Sequence, residues 1–274
     1  MRGVVNRIGK IPKNGLLYSH HLSMRTDREK IYIYGKHALE EALTNAPHAI
    51  KKVFLSAEAG RDGELQAMIR KANVPVAAMK GHEADRMVGE ETSHQGVIAI
   101  AEPGSIMTDF RDFIDKLEPT DATMVIILDE LTDPHNVGAI IRSAAAFGAA
   151  AVLIPTHHQA PITGAVVKTS AGMVFRVPIV AIGNVNQAVD ALKKIGFQTY
   201  ALAMDGKTSL TKEPFDAPSC IVIGNEGRGI REKTMERADV TLRIPMDPRC
   251  ESLNASVSAA VVLYAWSAKH FGRI

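Results

Sequence analysis

Six apolar runs of strand length punctuate the chain after residue 123: Met124–Leu128, Ala151–Ile154, Val177–Ile182, Gln198–Ala203, Cys220–Ile223 and Val240–Ile244. Helical patterns lie between most of them, at Val137–Phe147, Val185–Ile195, Ile230–Arg237 and Ala255–Phe271. A sheet with one wet face would alternate apolar and polar residues. Continuous apolar strands separated by helices predict instead an α/β fold, a parallel sheet covered on both faces. Three polar loops follow such strands: Asp129–Arg142, Gly224–Gly229 and Ile244–Ala259. Open α/β folds place ligands at the carboxyl ends of their strands, so these loops can converge on one site.

Residues 31–103 form a smaller unit. Ile31-Tyr32-Ile33-Tyr34, Val53-Phe54-Leu55, Val74–Met79 and Val97–Ile100 read as strands, and Ala38, Leu39, Ala42, Leu43 and then Leu65, Met68, Ile69 mark helices. This alternation predicts a compact α/β domain with a partly parallel sheet. Residues 104–122 read as a linker with a short helix near Asp109–Leu117, and the large domain runs over 123–274. Residues 1–30 carry seven Lys/Arg against Asp27 and Glu29 and read as a flexible basic arm.

Composition excludes several classes. The 274 residues are 46% hydrophobic and 23% charged, as in soluble globular proteins. No apolar stretch nears the ~18 residues of a membrane span, and the basic N-terminus lacks the apolar core of a secretory signal. Cys220 and Cys250 show no metal-ligand spacing, so reduced thiols and a cytoplasmic location are expected. With a net charge of +2, any nucleic-acid partner must meet a local basic patch.

The loops carry the chemistry. Gly224-Asn225-Glu226-Gly227-Arg228-Gly229 has the order G-x-x-G-x-G, which is neither the dinucleotide fingerprint nor a phosphate loop. Its glycines let backbone approach a ligand closely, and Glu226 stands at its centre. In Asp133–Arg142, Asn136 is placed to cap the helix, and Arg142 lies nearly two turns on, where a cation is unfavourable against the helix dipole and needs an anionic partner. Ser252 and Asn254 stand at the start of the last helix, where they can cap it. His135 reads as a turn residue, and His157-His158 point apart as neighbours in a loop, so no metal site is expected.

Together, Asn136–Arg142, Ile221–Gly229 and Ile244–Ser258 resemble the three motifs of the SpoU/TrmH branch of the SPOUT RNA methyltransferases, in order and at similar spacing. Lys168-Thr169-Ser170-Ala171-Gly172 resembles the stretch that often lies between the first two motifs. The small domain resembles the substrate-binding domain of that family's rRNA guanosine 2′-O-methyltransferases. After Asn254 the chain reads Ala-Ser-Val-Ser-Ala-Ala, where relatives often have Val-Ser-Val-Ala.

The resemblance implies a deep trefoil knot in the large domain and S-adenosylmethionine as cofactor, with Gly224, Ile244, Met246 and Leu253 lining its pocket. It implies 2′-O-ribose methylation of structured RNA, foremost a guanosine in 23S rRNA. A tRNA methyltransferase and a catalytically silent RNA-binding protein are the alternatives. Arg142 would bind phosphate and stabilise the developing alkoxide, because a guanidinium keeps its proton and cannot serve as base. Glu226 would orient Arg142 through a charge-assisted bond, Asn136 and Asn254 would position ribose and phosphate, and Ser252 would hold the loop or the nucleotide. The helix Ala255–Phe271, apolar around most of its circumference, predicts a homodimer through the large domain. Lys51, Lys52, Arg61, Arg70, Lys71 and Lys80 offer RNA phosphate contacts on the small domain.

Overall fold

The computed structural model describes residues 30–80, 82–90, 92–270 and 272. The expected basic arm, apart from Lys30, lies outside the described residues. The small domain is built from β1 (Ile31–Tyr34), α1 (Lys36–Asn45), β2 (Ile50–Leu55), α2 (Gly63–Lys71), β3 (Val76–Ala78), α3 (Glu83–Val88) and β4 (Val97–Ala101). Its sheet has the order β1-β4-β2-β3, antiparallel except for the β2–β3 pair. Helix α2 shows why such a segment starts where it does: the Asp62 carboxylate caps it, accepting from the Glu64 and Leu65 N–H groups.

The connector holds β5 (Met107–Asp109) and α4 (Phe110–Ile114). Strand β5 pairs in parallel with β8 (Ile179–Ile182), so this stretch is not only a linker but the edge of the large sheet. The helix is shorter than expected and is capped by Asp109, whose carboxylate accepts from Arg111 N at 2.8 Å.

The large domain continues with β6 (Met124–Asp129), α5 (Pro134–Ala146), β7 (Ala151–Pro155), α6 (Gly164–Thr169), then β8, α7 (Val185–Lys194) and β9 (Gln198–Leu202). It ends with β10 (Thr208–Ser209), β11 (Ser219–Gly224), α8 (Glu232–Met235), β12 (Val240–Arg243) and α9 (Ala255–Lys269). Eight strands lie in the order β10-β12-β9-β11-β6-β7-β8-β5, and every pairing is parallel. Alternation along β6 sorts its side chains between two cores. Met124, Ile126 and Leu128 meet Val137, Ile140 and Ile141 of α5 and Val262, Leu263 and Trp266 of α9. Val125 and Ile127 meet Val185, Val189 and Leu192 of α7. Both faces are therefore covered, as the continuous apolar strands predict. Among the described residues no helix is long and apolar enough to cross a membrane.

Helix α8 is a single turn, shorter than the pattern Ile230–Arg237. The Gly224–Gly229 loop closes on itself through Asn225 and Gly229, and Arg231 N bonds to the Asp129 carboxylate, so no helical turn begins before Glu232.

The two domains share one buried apolar cluster, which runs from Ile31, Ile33 and Leu39 to Val167 and Phe175. Arg176 adds a bidentate bond to Glu41 at 2.6 and 2.9 Å. The Lys168–Gly172 stretch is thus the seam between the small domain and α5. Helix α5 touches it at Gly138, where a Cβ would lie 2.7 Å from Thr169 Cβ and 3.0 Å from the Val166 carbonyl. Alanine favours a helix by about 1 kcal/mol over glycine, but overpacking against backbone costs about 1–3 kcal/mol. Gly138→Ala should therefore lower the urea midpoint of unfolding; a raised midpoint would show that α6 yields freely.

Candidate active site

The carboxyl ends of β6 and β11 lie side by side, with Gly224 in register with Asp129. The loops that leave them, and the loop after β12, meet through one chain of hydrogen bonds. Glu226 Oε1 accepts from Asn136 Nδ2 at 3.1 Å and from Asp133 N at 3.3 Å, while Oε2 accepts from Thr132 N at 3.4 Å. Asn136 Oδ1 accepts from Asn254 Nδ2 at 3.0 Å. Asn254 Oδ1 caps α9, accepting from Ser256 N at 2.8 Å and Val257 N at 3.3 Å. Each amide is thereby oriented: Asn136 must turn its NH2 to the carboxylate, which fixes its oxygen toward Asn254.

Asn254 is the cap that the sequence suggests, but Asn136 is not. Asp133 caps α5 through His135 N at 2.8 Å, and Pro134 occupies the first helical position, where its missing N–H costs nothing. Asn136 is instead buried in the first turn, free to bridge the loops. Ser252 caps nothing and lines the neighbouring cleft.

Arg142 does not join this chain. Six residues beyond Asn136 it is rotated by about 240° around the helix axis, and it is exposed. No hydrogen bond or ion pair links it to Glu226 among the described residues, so the expected charge-assisted bond gives way to the Asn136 bond. Burial alone would raise the Glu226 pKa. The Glu226, Thr132 and Asp133 backbone N–H groups and the Asn136 amide outweigh it and hold the carboxyl below its ordinary value.

Beside Glu226 opens a cleft of about 360 Å³. Gly224, Ile244, Met246 and Leu253 all line it, together with Glu226 and Ser252; Asn136, Arg142 and Asn254 do not. Leu202, Met204 and Ile223 complete its apolar walls. Met204 and Leu253 are 50% and 37% exposed, a large apolar area left to a ligand. Gly224 is required by backbone, since a Cβ there would lie 2.3 Å from the Gly229 carbonyl carbon. An apolar slot lined with backbone groups suits a flat heteroaromatic ring joined to a polar tail, and its volume falls within the range of small-ligand sites, roughly 300–1,000 Å³.

Sequence reasoning misses the brace behind these loops. Arg231 pairs with buried Asp129 at 2.6 Å and with Glu130 at 2.8 Å. Asn225 Nδ2 donates to the Glu130 carbonyl at 2.7 Å, and Asn225 Oδ1 accepts from Gly227 N and Arg228 N. The visible signal is an aspartate ending an otherwise apolar strand, which needs a partner when buried. Of the small-domain cations, Lys51 pairs with Glu102 at 3.0 Å and Lys52 lies 4.9 Å from the centre of the Phe54 ring.

A cleft at the carboxyl ends of parallel strands, flanked by loops that amide and carboxylate bonds link, defines a ligand-binding α/β domain with a second α/β domain beside it. The chain belongs to the SpoU family: residues 123–264 match the SpoU rRNA Methylase family and residues 32–107 match the RNA 2′-O ribose methyltransferase substrate binding domain. It is 34% identical over 239 residues to the 23S rRNA (guanosine-2′-O-)-methyltransferase RlmB of Pseudomonas syringae pv. tomato, covering 85% of this chain and 93% of that one. It is 33% identical to the RlmB of Coxiella burnetii over 85% of this chain and 93% of that one. Among solved structures, the SpoU methyltransferase AviRb from Streptomyces viridochromogenes in complex with AdoMet shares the fold, with a TM-score of 0.76, 23% identity and coverage of 89% and 91%.

Glu226→Gln should cost about 1 kcal/mol at neutral pH, since an amide must turn one NH2 toward a donor and the site is partly wet. Because the carboxyl's folded pKa is depressed, its stabilisation is present above the unfolded value and is lost as pH falls through the folded one. Urea midpoints of the two proteins should differ at pH 7 and converge in acid; a constant gap would contradict the assignment.

Proposed function

We propose that this chain transfers a methyl group from S-adenosylmethionine to the ribose 2′-hydroxyl of a guanosine in 23S rRNA. The observation that carries this reading is the Glu226–Asn136–Asn254 chain, which closes all three motif loops beside a cleft lined by every residue assigned to the cofactor. The RlmB relatives, matched over nearly their whole length, supply the substrate class.

When bound, S-adenosylmethionine supplies an electrophilic methyl on a sulfonium. Ile223, Ile244 and Leu253 would sandwich the adenine, and the backbone around Gly224, Met246 and Leu253 would take its polar edges. The 2′-hydroxyl, held by Asn136 and Asn254, would be the methyl acceptor and would give up its proton to phosphate or water. Arg142, exposed on another face of α5 than Asn136, would bind the adjoining phosphate and in that way offset the charge of the developing alkoxide. Glu226, with its lowered pKa, is a poor base and acts by fixing Asn136, so that Asn136 and Asn254 hold the ribose end of the site. Ser252 lines the cleft and would hold the loop or the nucleotide.

The C-terminal segment from β12 to α9 would thread the deep trefoil knot, an exception to the rule of unknotted chains. We also place the protein in the cytoplasm, as a homodimer through α9. Val257 and Tyr264 on that helix are 47% and 63% exposed, and Tyr264 stacks edge-on with Phe147, just past the end of α5, to extend the apolar surface. Sedimentation at micromolar concentration should give a species of twice the chain mass, and Tyr264→Lys should shift it toward one chain; a monomeric wild type would refute the dimer.

Incubated with methyl-labelled S-adenosylmethionine, the protein should label 23S rRNA lacking its native methyls and leave tRNA unlabelled. Arg142→Ala should lower kcat at least about 10²-fold while S-adenosylhomocysteine affinity stays the same. Label in tRNA alone would overturn the substrate, and a matching loss of cofactor affinity would move Arg142 into the cofactor pocket.

A further inference from the structure

A second cleft, of about 810 Å³, separates β1 of the small domain from the segment that follows β7. It shares no lining residue with the cofactor cleft. One wall carries Tyr32 and Tyr34, alternate residues that share a face of β1. The other carries Pro155, His157, Gln159 and Ile162. The walls are held together at Gly164, which lies against the Tyr32 carbonyl so closely that a Cβ would overlap it.

The cleft is apolar but offers unused polar groups. Neither tyrosine hydroxyl has a hydrogen-bond partner among the described residues. Burial holds the Tyr34 phenol above its ordinary pKa, so it remains a donor at neutral pH. Gln159 Oε1 accepts from Leu131 N at 2.8 Å, which fixes the amide, and its Nε2 is buried with no partner. A buried donor left unpaired is costly and calls for a reason. At the rim, Lys168 Nζ lies 5.9 Å from the centre of the Tyr34 ring, and Lys30 lines the cleft.

Its position ties it to the active site. Ala160 N donates to the Leu131 carbonyl at 2.8 Å, so the cleft wall is bonded at Leu131 from both sides. The next two residues, Thr132 and Asp133, donate their N–H groups to Glu226. Aromatic rings, an amide and flanking lysines together match the recognition of an unpaired base with its phosphates outside. We propose that this interdomain cleft receives an unpaired nucleobase of the RNA substrate, packed against Tyr32 and Tyr34 and bonded by Gln159, with Lys168 and Lys30 on its phosphates. The proposal rests on the RNA-methyltransferase reading. It gives the small domain a defined role, because a base held there sets the register of the RNA and so which ribose reaches Asn136 and Asn254.

Oligoribonucleotides carrying 6-thioguanosine or 4-thiouridine at single unpaired positions test this by photo-crosslinking to the full chain. Adducts should map to residues 30–34 and 155–163. Replacing Tyr32 and Tyr34 together by alanine should weaken binding of these oligonucleotides about 5- to 150-fold, the worth of one stacked base, and phenylalanine at both positions should restore it. Unchanged S-adenosylhomocysteine affinity and unfolding midpoint show that the variants are folded. If the alanine variant does not fold, the adduct map of the native protein decides. Wild-type affinity in the folded alanine variant would overturn the proposal. So would adducts confined to other segments, or adducts in the cleft only after residues 1–29 are removed, which would make the arm its occupant. Cleft adducts without methyl transfer to rRNA would sink the enzymatic reading and leave the base site standing.

Discussion

Glu226 links three loops that are distant in sequence, its own and that of Asn136 directly and that of Asn254 through Asn136. Its carboxylate accepts from Asn136 and from two backbone N–H groups of the same loop, and Asn136 passes the constraint on to Asn254. The chain works because each member has one orientation available. An isolated amide could flip at little cost; here a flip would set NH2 against NH2 and acceptor against acceptor. The start of α9 is fixed by the same side chain, since Asn254 Oδ1 caps the helix while its Nδ2 reaches Asn136. The loop that walls the cleft beside Glu226 is therefore placed by the polar chain as well as by its own apolar contacts.

Behind the loops stands the all-parallel sheet. The register of β11 on β6 brings Gly224 level with Asp129, which sets the two motif loops at one height. Arg231 reaches back to neutralise buried Asp129 and grips Glu130 as well. A buried carboxylate without that partner would be strongly destabilising. The small domain then closes against the seam at α6, so the two domains share one continuous apolar core.

Much of this is legible in the sequence because it depends on local pattern. The apolar runs name the parallel strands, and the loops after β6, β11 and β12 name the site. Other features are not local. Asn136 reads as a helix cap because Asn is a common one, yet Asp133 followed by Pro134 is the stronger signal, and it releases Asn136 to bridge. A guanidinium's need of an anionic partner directs Arg142 to Glu226, although its spacing from Asn136 on α5 turns it away. Strand β5 is invisible because three residues carry no period, and its strand character comes from β8. The Asp129–Arg231 pair spans 102 positions and the Glu41–Arg176 pair 135, and no local pattern reports such contacts.

If the site is organised as described, Glu226, Asn136 and Asn254 act as one unit. A double-mutant cycle on kcat/KM for methyl transfer, with Asn136→Ala, Asn254→Ala and the pair, measures this directly. A chain broken at either link loses the same function, so the double variant should be little worse than the more damaged single one. The coupling should fall in the range of about 0.5–3 kcal/mol found for residues within one network. Losses that simply add, within about 0.3–0.5 kcal/mol, would show that the two asparagines work independently and that the hydrogen-bonded chain does not organise the site.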